Sequence, residues 1–307
     1  MNTNLTKGEI MLREKLSGVF IPAITPFASN EEVQYDKLEE NIRKYNKTSI
    51  GGYLALGSNG ENKSLTSDEK LKILEVFVKN KQDKVVMAGT GCESTKETIE
   101  FSRQAAEIGA DFVSILTPSY FAKQMKDEIL IDYYTEIAES IPLPMLIYNA
   151  PGFAGGVRVS PKAIGKLARH KNIVGMKDSS TDGIMGYLNA SRGVEDFCVI
   201  AGSANFFLTG LICGATGGIL SLANGFPEKC CELYDAFKAG KIQEAVDLHF
   251  EIFELNSKVS GSGGVSAVKA SATMAGYNGG APRKPLKPIT SAQYDELKKY
   301  LEEKDMI

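Results

Sequence analysis

Short runs of consecutive apolar residues recur along the chain, and each is followed by a longer stretch with helical periodicity. The runs are VFIPAI (19–24), GGYLAL (51–56), KVVMAG (84–89), DFVSIL (111–116), PMLIY (144–148), NIVGMK (172–177), FCVIAG (197–202) and GGILSL (217–222). Most are apolar on successive residues rather than on alternate ones, the pattern of parallel strands covered by helices on both faces. Helix punctuation fills the intervals. Thr66 with Glu69, and Ser94 with Glu97, have capping-box spacing, and Ser160-Pro161 places a cap before a proline at the first helical position. Gly193 and Gly240 suit helix stops.

Eight strand–helix units within the first 240 residues fit an α/β fold of the (β/α)8 TIM-barrel type, with an open doubly wound sheet as the alternative. After Gly240 the pattern turns to helices alone, roughly 241–258, 264–276 and 291–303. The expected organisation is therefore a barrel with a short N-terminal segment over 1–240 and a C-terminal helical region over 241–307. SGSGG at 260–264 reads as a turn between two of these helices, with a hinge or an anion-binding nest as alternatives.

Composition narrows the functions open to such a fold. The chain has 307 residues, 43% of them hydrophobic and 24% charged, with a net charge of -3, so it has no broad basic surface and neither nucleic acid nor a membrane is an expected partner. Five cysteines form an odd set without a CxxC pair and read as reduced, mostly buried thiols. The N-terminus lacks a signal-peptide stretch, which points to a cytoplasmic protein. The two histidines, His170 and His249, lie far apart and argue against a metal site built on histidine.

In a (β/α)8 barrel the reactive groups stand at the carboxyl ends of the strands. Strand two runs into GSNGE (57–61), strand four into TPSYF (117–121), strand five into Tyr148 and strand six into Lys177. Lys177 follows an apolar run, so its amine is expected to be partly desolvated, with a lowered pKa that favours attack on a carbonyl. The alternative is a rim lysine paired with Asp178 or Asp182. Tyr148 ends the adjacent strand, where its phenol could serve Lys177 in proton transfer, and Ser58 offers a hydroxyl for a relay. Taken singly, Tyr148 also reads as an amphipathic core residue and GSNGE as an ordinary turn.

GSNGE, TPSYF, YNAPG (148–152) and IVGMKDSSTD (173–182) come in the order and at the spacing of the dihydrodipicolinate synthase / N-acetylneuraminate lyase family, and the chain resembles that family of class I, pyruvate-handling aldolases from IPAITPF (21–27) to its C-terminal helices. AGTGCEST (88–95), AGSANFFL (201–208) and GGILSLAN (217–224) look most like its 4-hydroxy-2-oxoglutarate aldolase members. The resemblance implies that Lys177 is the Schiff-base lysine and Tyr148 the catalytic tyrosine. It implies that Ser58 and Asn59 hold the keto-acid carboxylate, Ser58 also relaying protons, and that a backbone carbonyl at Ile219 lines the pocket. Tyr120 matches a tyrosine inserted into a neighbouring subunit's site, which implies a homo-oligomer, a dimer or a tetramer of two dimers. The implied substrate is a 2-keto acid handled as pyruvate, through chemistry that needs no metal or organic cofactor.

One position departs from the family pattern. Where dihydrodipicolinate synthases carry an arginine for the second substrate's carboxylate, this chain has Phe153, which cannot form a bidentate pair with a carboxylate. Arg158 is the nearby alternative source of charge. The expected function is cleavage or formation of a carbon–carbon bond with pyruvate, on 4-hydroxy-2-oxoglutarate or a related hydroxylated 2-keto acid. The alternatives are condensation of pyruvate with aspartate semialdehyde and a keto-acid-binding sensor without activity.

Overall fold

The structure is a computed structural model that describes residues 12–180, 182–261 and 263–307. Parallel strands close into a barrel in sequence order: β1 (Gly18–Pro22), β2 (Gly52–Ala55), β3 (Val85–Gly89), β4 (Phe112–Leu116), β5 (Met145–Asn149), β6 (Ile173–Asp178), β7 (Cys198–Ala201) and β8 (Gly217–Ile219). Helices α1 (Tyr35–Tyr45), α2 (Ser67–Asn80), α3 (Thr95–Ile108), α4 (Asp127–Ser140), α5 (Pro161–Leu167), α6 (Met185–Ala190) and α7 (Phe207–Ile212) separate them. The expected (β/α)8 barrel is the observed fold, and each apolar run overlaps one of the strands.

The chain divides into two compact units, Met1–Gly18 with Met87–Ile219, and Val19–Val86 with Leu220–Ile307. In the first, β4 to β7 pair in parallel, with one register shift against β6 between Met145 and Leu146, and Ile115, Ile147 and Met176 are fully buried. Each such side chain contributes on the order of 1.5–3 kcal/mol by leaving water. Gly175 is required by close strand approach, because a Cβ there would stand 2.4 Å from the carbonyl oxygen of Cys198 on β7.

The second unit contains α8 (Pro227–Lys238), α9 (Ile242–Asn256), α10 (Gly264–Met274) and α11 (Ser291–Glu303). Its core includes Phe27, Tyr45, Tyr53 and Phe77, with Tyr45 stacked on Tyr277 at 4.4 Å between ring centres. The apolar run of β8 extends in sequence to Leu222, yet Ser221–Asn224 forms a 3-10 turn. Asn224 explains the break, since its side chain accepts the Ile24 N–H at 3.0 Å and donates to the Pro22 carbonyl at 3.0 Å, taking backbone groups that a longer strand would have used.

The helix caps differ in detail from their spacing. Thr66 and Glu69 form the complete reciprocal box, and Ser160 caps α5 before Pro161, whereas Ser94 only accepts the Glu97 N–H. Thr290 and Gln293 form a second complete box that the sequence reading passed over. Within SGSGG, residues through Gly261 are wound into a π-helical turn, Ser257–Gly261, rather than a plain turn; Ser262 lies outside the described residues. Among the described residues no helix is long and apolar enough to cross a membrane. The cysteines are free thiols, with Cys198, Cys230 and Cys231 buried and Cys213 exposed.

Candidate active site

Lys177 is the penultimate residue of β6, after four buried residues, and is itself only 4% exposed. The parallel register sets it beside Tyr148 on β5, which is 5% exposed, and its Nζ stands 4.4 Å from the centre of the Tyr148 ring. The amine thus lies over an aromatic face, and among the described residues it has no carboxylate partner. Both aspartates weighed as partners are engaged elsewhere. Successive strand residues face opposite ways, so Asp178 turns from Lys177 and accepts from the Asn149 amide at 2.7 Å and from the Ser180 N–H and hydroxyl at 3.2 and 2.9 Å. Asp182 pairs with the Arg158 guanidinium.

Behind the Lys177–Tyr148 pair is a buried polar clamp that sequence reasoning missed. Asn149 is in register with Asp178; its Nδ2 donates to that carboxylate and, at 3.0 Å, to the Tyr187 hydroxyl, while its Oδ1 accepts the Val159 N–H at 3.1 Å. Tyr187 donates onward to the Val159 carbonyl at 3.0 Å. Burial raises the Asp178 carboxyl above the usual aspartate value, opposed by the hydrogen bonds from Asn149 and Ser180. Burial and the Asp178 charge push the Tyr187 phenol up to about 12. The clamp fixes the ends of the two strands that carry Lys177 and Tyr148. The available signal was an asparagine directly after Tyr148 and an aspartate directly after Lys177, at matching positions on neighbouring strands.

The other rim residues are placed as follows. Tyr120 is 80% exposed, edge-on to the exposed Phe121 at 5.0 Å. Its segment is held by Glu93, whose carboxylate accepts the N–H groups of Ser119 and Tyr120 at 2.8 and 2.9 Å; Glu93 was not singled out in the sequence. Phe153 is 61% exposed on a 3-10 turn, Pro151–Phe153. Arg158, the alternative cation, is committed to Asp182, and that hydrogen bond raises the guanidinium's pKa. Ile219 is fully buried at the end of β8.

Ser58 and Asn59 belong to the other unit, in a 3-10 turn, Ser58–Gly60, directly after β2. Asn59 is 9% exposed and donates from Nδ2 to the Ser221 hydroxyl at 2.7 Å. Beyond the turn, Glu61 pairs with Lys269 of α10 at 2.6 Å, both side chains being 1% exposed. Sequence reasoning missed Lys269. A cavity of about 460 Å³ among Lys229, Ile252, Leu255, Tyr300 and Met306 is lined by helices α8, α9, α11 and the C-terminal residues, and includes no strand end.

A buried amine over a tyrosine, at the carboxyl ends of neighbouring strands in a closed (β/α)8 barrel, stands at the rim where barrel enzymes carry their reactive groups. The chain belongs to the dihydrodipicolinate synthetase family, which it matches over residues 15–304, and is a carbon–carbon lyase of that family. It is 31% identical over 299 residues, 95% of this chain and 96% of the relative, to a protein of Emericella nidulans described as a probable mitochondrial 4-hydroxy-2-oxoglutarate aldolase. It is 34% identical over 292 residues, 94% of this chain and 99% of the relative, to a 4-hydroxy-tetrahydrodipicolinate synthase of Methanospirillum hungatei. Among solved structures it resembles the dihydrodipicolinate synthase of Acinetobacter baumannii complexed with pyruvate, with a TM-score of 0.88 at 27% identity, covering 95% of this chain and all of that one.

Proposed function

We propose that the protein is a Schiff-base aldolase that cleaves a hydroxylated 2-keto acid to pyruvate and an aldehyde, or runs the reverse. The observation that carries this is the Lys177 amine, buried beside Tyr148 with no carboxylate partner among the described residues. A lysine kept for structure would be paired or would reach water.

The amine of Lys177 attacks the keto carbon, and loss of water from the carbinolamine leaves a protonated imine. That imine withdraws electrons as the C3–C4 bond breaks. The C4 hydroxyl gives up its proton, the aldehyde departs, and the enamine is protonated and hydrolysed to pyruvate. Tyr148 moves the proton on and off the departing oxygens, with Ser58 as its relay. Ser58 and Asn59 hold the substrate carboxylate, and the Ile219 carbonyl lines the pocket. In this proposal the enzyme is a homo-oligomer in which Tyr120 completes a neighbouring subunit's site, a use that fits an aromatic side chain left 80% exposed.

4-Hydroxy-2-oxoglutarate is the first substrate to assay, on the name of the Emericella nidulans relative. The competing reading, condensation of pyruvate with aspartate semialdehyde, rests on the name of the Methanospirillum hungatei relative. Phe153 and the engaged Arg158 offer no unpaired cation to a second carboxylate, which weighs against the semialdehyde and equally against 4-hydroxy-2-oxoglutarate, so the panel to assay includes hydroxylated 2-keto acids with an uncharged far end. A panel of hydroxylated 2-keto acids screened for pyruvate release, run beside the semialdehyde condensation, tests the proposal. Release from at least one panel member supports it, and condensation without any release overturns it.

A further inference from the structure

Glu61 is a non-glycine residue in the left-handed backbone region, with φ 55° and ψ 38°, at the end of the turn Ser58–Gly60. A side-chain residue there is strained, and the strain persists only where the surroundings fix it. They fix it from several sides. The Glu61 carboxylate accepts from Lys269 Nζ at 2.6 Å and from the Arg283 backbone N–H at 2.9 Å. Lys269 uses its remaining protons on the carbonyls of Thr25, at 2.8 Å, and Ala281, at 2.7 Å. Thr25 closes the circuit, since its hydroxyl donates to the Gly60 carbonyl at 2.8 Å. The last two residues of the turn region are thereby tied to one ammonium, directly at Glu61 and through Thr25 at Gly60.

The Arg283 guanidinium forms the outer layer, bidentate on Glu69 at 2.6 and 2.7 Å and donating to the Ser64 carbonyl at 2.8 Å. Lys269 and Arg283 also flank the Phe27 ring at 4.5 and 4.4 Å. Glu61 and Lys269 are too deeply buried to touch a substrate. A buried ion pair is often no better for stability than well-packed apolar residues, and specifying one geometry is its best-attested use.

We infer that Lys269 and Glu61 are positioning residues, whose ion pair sets the Ser58–Gly60 turn in the form that grips the carboxylate of the 2-keto acid. This rests on the proposed carboxylate role of Ser58 and Asn59. Loss of the pair weakens binding of the keto acid and leaves the covalent step at Lys177 intact at saturation.

The test is the double variant Glu61→Gln with Lys269→Met in the full-length chain, which removes both charges at similar volume and leaves an acceptor for the Arg283 N–H. Borohydride trapping of pyruvate is titrated and read by mass spectrometry, beside a thermal melt. The expected result is a rise of about tenfold or more in the half-saturating pyruvate concentration, with full labelling of Lys177 at saturation and a cooperative melt. If the double variant does not melt cooperatively, Thr25→Val, which removes the hydroxyl from Gly60 and keeps the ion pair, is read in the same way. Half-saturation within about twofold of wild type in the folded variant overturns the inference alone. Wild-type protein that is never labelled overturns the Schiff-base reading, and the inference falls with it.

Discussion

Asn149 offers the sharpest test of how the ends of β5 and β6 are held. Replacing it with alanine removes three hydrogen bonds at once, to Asp178 at 2.7 Å, to Tyr187 at 3.0 Å and from Val159 at 3.1 Å. The bond to the buried carboxylate is worth about 1.5–3 kcal/mol, and stranding the buried Val159 N–H costs about 1–3 kcal/mol. A combined loss of roughly 3–5 kcal/mol corresponds to a fall of about 6–10 °C in melting temperature for a chain of this length. The loss should also depend on pH. Asp178 already has a raised carboxyl pKa in the folded state, so its ionised form opposes folding above that pKa and the opposition is relieved as the pH falls through it. Asn149 is one of the groups lowering that value, and removing it raises it further; the variant should recover part of its deficit when moved from neutral to acidic pH, more than wild type gains. Adding Asp178→Asn should recover part of the deficit at neutral pH as well. Calorimetric melts at both pH values read the outcome. A melting temperature within about 2 °C of wild type at both would refute the clamp.

Tyr148→Phe should keep pyruvate binding and lose turnover by about 10²–10⁴-fold, read by trapping and by steady-state rates; full activity would remove the phenol from the proton path. Lys269 is pulled down to about 8 because burial outweighs the pull of Glu61, with Arg283 adding to the depression and Glu69 standing behind Arg283. Between that value and the ordinary lysine value the unfolded chain binds more protons, so this group adds stability as the pH rises through that window. Lys269→Met should remove that contribution, and identical melt-versus-pH curves for wild type and variant would contradict it. Phe153→Arg should raise kcat/KM for aspartate semialdehyde by about tenfold or more relative to an uncharged aldehyde; an unchanged ratio would take residue 153 out of substrate selection.

The strands were legible because parallel strands buried on both faces leave uninterrupted apolar runs. Lys177 was legible for the same reason in reverse, as a charge ending such a run. What stayed hidden depended on partners distant in sequence. Leu220 and Leu222 continue the pattern of β8, and only Asn224, bonding to backbone 200 and 202 residues away, shows why the strand stops. Lys269 looks like any helical lysine within VSAVKASATM, and its partner Glu61 lies 208 residues earlier. Arg158 read as a spare charge because Asp182 comes from a separate loop. Spacing misled once at Ser94, where the serine half of the box forms without the glutamate half.

The central claim is that Lys177 forms an imine with a 2-keto acid. Incubating the intact protein with pyruvate and borohydride, then mapping the adduct by peptide mass spectrometry, tests it most directly. The account predicts one reduced pyruvyl adduct, on the peptide containing Lys177, and none in Lys177→Ala. Pyruvate binding measured by calorimetry with no adduct at Lys177, or an adduct on another lysine, would contradict it.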